Sequence, residues 1–236
     1  MPRKDPYKPE PAPPAAHRMP VSESRARRVP RRPRETAARR ETLTPERWIE
    51  AATEVLVDHG IDNVRVDVLA TELSVTRGSF YWHFRDREDL LRQVLQSWRD
   101  QATEQLTARL QGANRDPRAQ LRDVLSLPFR GRAAARAARI ELALRAWARH
   151  DDMARQAVDE ADASRMDYIS GLLEAMGFAR AEARQRGFLL YSYLIAESQL
   201  ASVGSASERA ARRRLVEALV QQPLDRAGAR ARSGQA

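Results

Sequence analysis

The chain has 236 residues and no cysteine, and its 41 Lys and Arg outweigh 32 Asp and Glu for a net charge of +9. A chain of this length can bury the core of one or two domains, while disulfides and thiolate chemistry are excluded. The longest apolar run, Phe188 to Ala196, is interrupted by Ser192 and too short to span a bilayer, and the N-terminus has no signal-peptide core, so a cytoplasmic protein is expected.

The charge is unevenly spread. The first 44 residues carry 12 Lys or Arg, 5 acids and 9 of the 13 prolines. Such a segment cannot bury enough apolar surface to order itself, and residues 1–43 read as a disordered basic arm. Residues 45–90 hold 5 Arg against 10 acids. Four of those five, Arg65, Arg77, Arg85 and Arg87, cluster in one region, so a local basic face is expected on an acidic segment.

A first helix opens with Thr44 as N-cap and Pro45 at its first position, buries Trp48, Ala52, Val55 and Leu56, and stops at Gly60. A second, Val66 to Leu73, places Val66, Leu69, Ala70 and Leu73 on one face. Ser74-Val75 then turns the chain toward Thr76, the expected N-cap of a third helix from Arg77 to Phe84. Its first turn holds Arg77, Gly78 and Ser79, where backbone N–H groups and short side chains can approach a phosphate or a base edge. Phe80 and Phe84, four residues apart, face inward. Tyr81, Trp82 and His83 face outward, a poor surface for water and a good one for a duplex groove; for Trp82, packing against the first or fourth helix is equally open. The fourth helix opens with Asp86, with Asp89 as its capping partner, and carries the stripe Leu90, Leu91, Val94, Leu95 and Trp98.

Past Gly112, breaks at 114–117, 128–131, 150–152, 177 and 203–205 separate about five further helices. No alternating run argues for a strand, so the fold class is all-α. The segment Ala179 to Leu200 is apolar over more than one face and is expected to be buried on two sides.

These residues resemble the tetracycline-repressor (TetR) family of bacterial transcription regulators. The resemblance lies in Gly60-Ile61, Leu69-Ala70, Ser74-Val75-Thr76, Tyr81-Trp82-His83-Phe84 and Arg87-Glu88-Asp89-Leu90, and spans Thr44 to about Trp98. Three positions depart from the family pattern. Ser74 replaces the usual Gly at a turn position that calls for a left-handed backbone, Arg65 stands where Ser or Thr often caps the second helix, and Arg87 replaces Lys.

The resemblance implies a three-helix helix-turn-helix domain at 44–90, a C-terminal helical bundle for dimerisation and effector binding at 91–222, and a flexible tail at 223–236. It implies a homodimer formed through about 181–200 and 208–220 that binds a pseudo-palindromic operator in double-stranded DNA, as a repressor released by a small-molecule effector. The expected DNA contacts are Arg65, Thr76, Arg77, Gly78, Ser79, Tyr81, Trp82, His83 and Arg87, with Arg65 and Arg87 suited to phosphates. The expected effector pocket draws on Trp98, Phe129, Glu141, Trp147, Met166, Tyr168, Phe178 and Tyr191, with plain core packing the stronger alternative for each.

No enzyme is expected, because there is no thiol, no Gly-rich loop after a strand, and only four scattered His. No cofactor, metal or membrane is implied. His150-Asp151-Asp152 share no side-chain direction at a helix break and read as a solvated cap. The competing reading is a non-catalytic helical adaptor that binds protein through its arm and bundle.

Overall fold

A computed structural model describes residues 43–200 and 202–222. The basic arm and the C-terminal tail lie outside them. The described residues form α1 (Pro45–His59), α2 (Val66–Glu72), α3 (Arg77–Phe80), α4 (Arg87–Arg99), α5 (Gln105–Ala113), α6 (Pro117–Ser126), α7 (Gly131–Trp147), α8 (Asp152–Ala175), α9 (Arg180–Gln199) and α10 (Ala206–Gln221). Among them there is no strand, and no helix is long and apolar enough to cross a membrane.

The helix starts follow the side chains that can satisfy free N–H groups. Asp86 accepts from the Asp89 amide at 2.8 Å, while Asp89 reaches back to the Arg85 amide at 3.1 Å, one residue earlier than a standard capping box would place it. Asp151 caps α8 by accepting from the Ala154 amide at 2.9 Å, which gives His150-Asp151-Asp152 its role as a helix start. Ser205 and Glu208 form a full capping box on α10. Thr44 and Thr76 hold N-cap dihedrals, yet neither hydroxyl makes a capping bond.

Two apolar cores organise the helices. The first joins Trp48, Leu69, Phe80, Phe84 and the α4 stripe to Leu144, Trp147 and Val158 from α7 and α8. It continues past residue 90 without a break, so α4 ties the N-terminal helices to the rest of the chain. The second gathers Leu110, Leu121, Leu125, Ile169, Leu173, Leu190 and Val220. Between α4 and α5, Asp100–Glu104 widen into a π-type turn that nothing in the sequence announces.

One expectation needs correction. The third helix ends at Phe80, four residues early, and Tyr81–His83 continue as turns in which the amides of His83 and Phe84 both donate to the Phe80 carbonyl. A Tyr-Trp-His run has poor helix propensity, and a helix this short gains little from cooperativity. Helix α9 is covered on one side in the single chain: Ala183, Leu190 and Tyr191 are buried, while Phe188 and Leu189 are 59% and 63% exposed. Its rotation is fixed by contact with α8, because a Cβ on Gly187 would lie 2.6 Å from the Ser170 hydroxyl.

Candidate nucleic-acid interface and cavity

The turn between α2 and α3 is built by backbone bonds. The Val75 amide donates to the Ala70 carbonyl at 2.9 Å and the Ser74 amide to Thr71 at 3.1 Å, which requires φ 54° at Ser74. The left-handed residue expected there is present, at a cost of about 1 kcal/mol for a residue with a Cβ. Phe80 lies buried between Trp48 and Phe84, at centroid separations of 5.4 and 5.2 Å, and holds the four-residue helix against α1.

Beyond this anchor, Thr76, Arg77, Gly78, Tyr81 and Trp82 are exposed, and Ser79 and His83 half-buried. Trp82 is 86% exposed and therefore packs against neither α1 nor α4. A Cβ on Gly78 would meet only the Thr76 hydroxyl, at 3.7 Å, so the outer side of this helix start is open to close approach.

The arginines separate into two kinds. Arg65 is engaged with Asp67 through Nε at 3.2 Å and Nη2 at 2.7 Å, and this bond holds the Asp67 carboxyl down at about 2. Arg87 donates from Nε to the Val64 carbonyl at 2.5 Å and from Nη2 to the Ile61 carbonyl at 2.7 Å, pinning the α1–α2 connection to α4. Both were expected at phosphates; both are committed within the chain. Arg87→Ala should therefore lower stability by about 1 kcal/mol through two carbonyls that lose a charged donor. A urea midpoint equal to that of the wild type, with weaker binding to all DNA alike, would instead return Arg87 to a phosphate.

Arg47 pairs with Glu50 at 2.7 Å and Arg85 with Asp89 at 3.4 Å. Of the five arginines in 45–90, Arg77 alone has no hydrogen bond or ion pair among the described residues. The acidic excess of this stretch is partly offset from outside it: Arg136 and Arg139 of α7 pair with Glu54 and Asp58 on α1.

A cavity of about 950 Å³ lies among α1 and α4 through α9. Its walls are mostly apolar, including Leu106, Val124, Ile140 and Ile169. Four of the eight expected pocket residues, Trp98, Glu141, Tyr168 and Tyr191, line it. The other four do not. Trp147 lines a separate cleft with Leu56 and His150, and Met166 packs on the second core. Phe129 lies beneath the guanidiniums of Arg209 and Arg213, and Phe178 beneath that of Arg186, so these aromatics are taken by cation–π contacts.

One end of the cavity abuts a charged network. Arg145 binds Asp162 through both Nη atoms, at 2.9 and 2.6 Å, and Glu141 at 2.6 Å. Arg165 donates to both Glu141 oxygens at 2.9 and 3.1 Å and to the Tyr191 hydroxyl at 3.1 Å, and Tyr191 donates to Asp162 at 2.6 Å. Burial pushes the Tyr191 hydroxyl up to about 12. Burial also raises Asp162, but Arg145 and Tyr191 outweigh it and hold the carboxyl below its ordinary value. The four charges balance, as burying them requires.

The profile of bacterial regulatory proteins of the tetR family matches residues 49–94, which contain the α2–turn–α3 unit and most of α4. Over these residues the chain is similar to the DNA-binding domain of the TetR family. It is 44% identical over 64 residues to the HTH-type transcriptional regulator SrpR of Pseudomonas putida, a match covering 27% of this chain and 30% of that protein. It is 36% identical over 85 residues to the probable acrEF/envCD operon repressor of Escherichia coli K12, covering 35% and 37%. The chain thus spans about a third of the length of these relatives. In fold it is similar to a transcriptional regulator from Saccharomonospora viridis solved in complex with choline, with TM-score 0.61, 18% identity, and coverage of 75% and 95%.

Sequence reasoning missed Arg145, Asp162 and Arg165. The spacing of Glu141 and Arg145, four apart on one helix, was a usable signal. Asp162 and Arg165 join the network from α8, and only the packing of α8 on α7 and α9 shows it.

Proposed function

We propose that the chain is a homodimeric transcriptional repressor that reads a pseudo-palindromic operator and is released when a small molecule enters the cavity. The observation that carries this reading is Arg77: an uncommitted guanidinium at the start of α3, beside Thr76, Gly78, Ser79, Tyr81, Trp82 and His83 on one open surface. That is a duplex-reading set, with Arg for a guanine edge and short residues for close approach. The name of the Escherichia coli relative, an operon repressor, supports the direction of regulation, and the choline complex of the Saccharomonospora neighbour supports the binding of a small molecule. Residues 44–90 would then be the reading head and 91–222 the dimerisation and effector domain, with the basic arm adding phosphate contacts and association rate.

Sequencing of genomic fragments retained by the purified protein tests the whole reading. It should return a pseudo-palindrome with half-sites about 34 Å apart. Arg77→Ala should lower operator affinity by about 1 to 3 kcal/mol and relax preference at one position of each half-site, leaving the melting curve unchanged. Unchanged affinity and base preference would remove Arg77 from the interface. A helical adaptor would show no steep fall of DNA affinity with salt.

A further inference from the structure

The polar end of the cavity turns on one residue. Arg165 donates through Nε to the Thr103 hydroxyl at 3.1 Å and spends Nη1 on Glu141 and Tyr191, whereas the one acceptor in reach of its Nη2 among the described residues is the Ala102 carbonyl at 3.5 Å. That distance is beyond the usual range for an N–H···O bond, so two of the five guanidinium protons are nearly unspent. One face of the guanidinium is covered by Trp98, with the ring centroid 5.3 Å away. Arg165, Trp98, Ala102 and Glu141 all line the cavity.

The charge around the cavity is mixed with an excess of arginine, Arg109, Arg130, Arg136 and Arg165 against Glu46, Glu50 and Glu141. Among the described residues, Arg109 has only the Gln105 amide oxygen, at 3.1 Å, and the nearest acid to Arg130 is Asp123, at 3.7 Å. Two of the acids are matched, Glu50 held by Arg47 at 2.7 Å and Glu141 shared by two guanidiniums, while Glu46 has no ion pair among the described residues. A quaternary ammonium would find the Trp98 face taken and Glu141 neutralised. An anion would find an under-used guanidinium edge, with apolar walls beyond it.

Resting on the effector reading above, we propose that the cavity takes an amphiphile with an anionic head, in the simplest case a medium-chain carboxylate, whose head is received by Arg165 and whose chain lies along Leu106, Val124, Ile169 and Ile195. The same residue transmits occupancy. Thr103 and Ala102 belong to the π-type turn that follows α4, and Arg165 binds that turn to Glu141 of α7 and Tyr191 of α9. A carboxylate that draws Arg165 into the cavity competes with these bonds, so entry is felt at the C-terminal end of α4. The rest of α4 shares a core with Trp48 and Phe80, which hold the reading head.

Calorimetry on the full chain with decanoate, decanol and decyltrimethylammonium below their micellar concentrations tests the head-group claim. Decanoate should bind about tenfold more tightly than decanol, the factor expected for one charge-assisted hydrogen bond, and decyltrimethylammonium more weakly than either. Arg165→Gln should bring decanoate and decanol to the same affinity. Thr103→Val should keep the preference for decanoate but lose most of its effect on DNA affinity. Equal wild-type affinities, no binding of any probe, or a preference that survives Arg165→Gln would overturn the proposal, and the wild-type comparison decides alone if Arg165→Gln does not fold. The preference is read without DNA, so a chain that binds no operator would sink the repressor reading separately.

Discussion

Phe80→Ala should lower the unfolding free energy by about 3 to 5 kcal/mol and remove measurable operator binding. Phe80 is fully buried, edge-on to Trp48 and stacked on Phe84. Deleting the ring leaves a cavity whose walls belong to α1 and to the turn after α3. Helix α3 is only four residues long, far short of what holds a helix together by itself, so its position depends on this one side chain. The loss therefore falls on the surface that carries Arg77. Tyr81→Ala is the control: Tyr81 is 58% exposed, and its removal should leave the denaturation midpoint in place while weakening DNA binding. A Phe80→Ala protein with wild-type stability and operator affinity would mean that α3 is held by something else.

The same contrast shows what the sequence discloses. Pro45, Gly60, Asp86, Asp151 and Ser205 mark helix ends because each solves a local problem of dihedral angle or free N–H, and such problems are legible within a few residues. Ser74 was legible for the same reason. The inward pair Phe80 and Phe84 followed from spacing alone. What could not be read depends on distance along the chain. Arg87 meets carbonyls 26 and 23 residues away, and Arg165 meets Thr103 across 62. An exposed arginine beside a helix-turn-helix looks the same in sequence whether it holds a phosphate or a carbonyl. Phe129 and Phe178 were misplaced for a related cause: an aromatic in a helical stretch reads as core or pocket, and the arginines that cover these two lie on other helices or at other turns. The π-type turn at 100–104 has no residue signature at all.

The second large effect concerns assembly. Leu189→Arg combined with Leu215→Arg should convert a dimer to a monomer in light scattering at micromolar concentration. The contact between Gly187 and Ser170 fixes the rotation of α9 on α8 and leaves Phe188 and Leu189 pointing away from the core. Arg186 donates to the carbonyls of Leu219 and Val220 at 2.9 Å, which sets the end of α10 beside it, with Leu215 and Leu219 60% and 57% exposed. Five large apolar side chains, Phe188, Leu189, Leu200, Leu215 and Leu219, are thus exposed on the two consecutive helices α9 and α10 and the residue that ends α9. Patches of this kind mark interfaces, and a second copy related by a two-fold axis would cover them with the same residues. Two guanidiniums in that face would be buried without partners, and the dimer should not form. The monomer keeps its reading head but loses the linkage between half-sites, so operator affinity should fall by about 100-fold or more while binding to an isolated half-site stays constant. Since neither leucine is part of the described cores, the melting curve of the monomer should keep its cooperativity. A double variant that remains dimeric would place the interface elsewhere, and a monomer that binds the full operator as tightly as the wild type would break the link between dimer symmetry and palindromic readout.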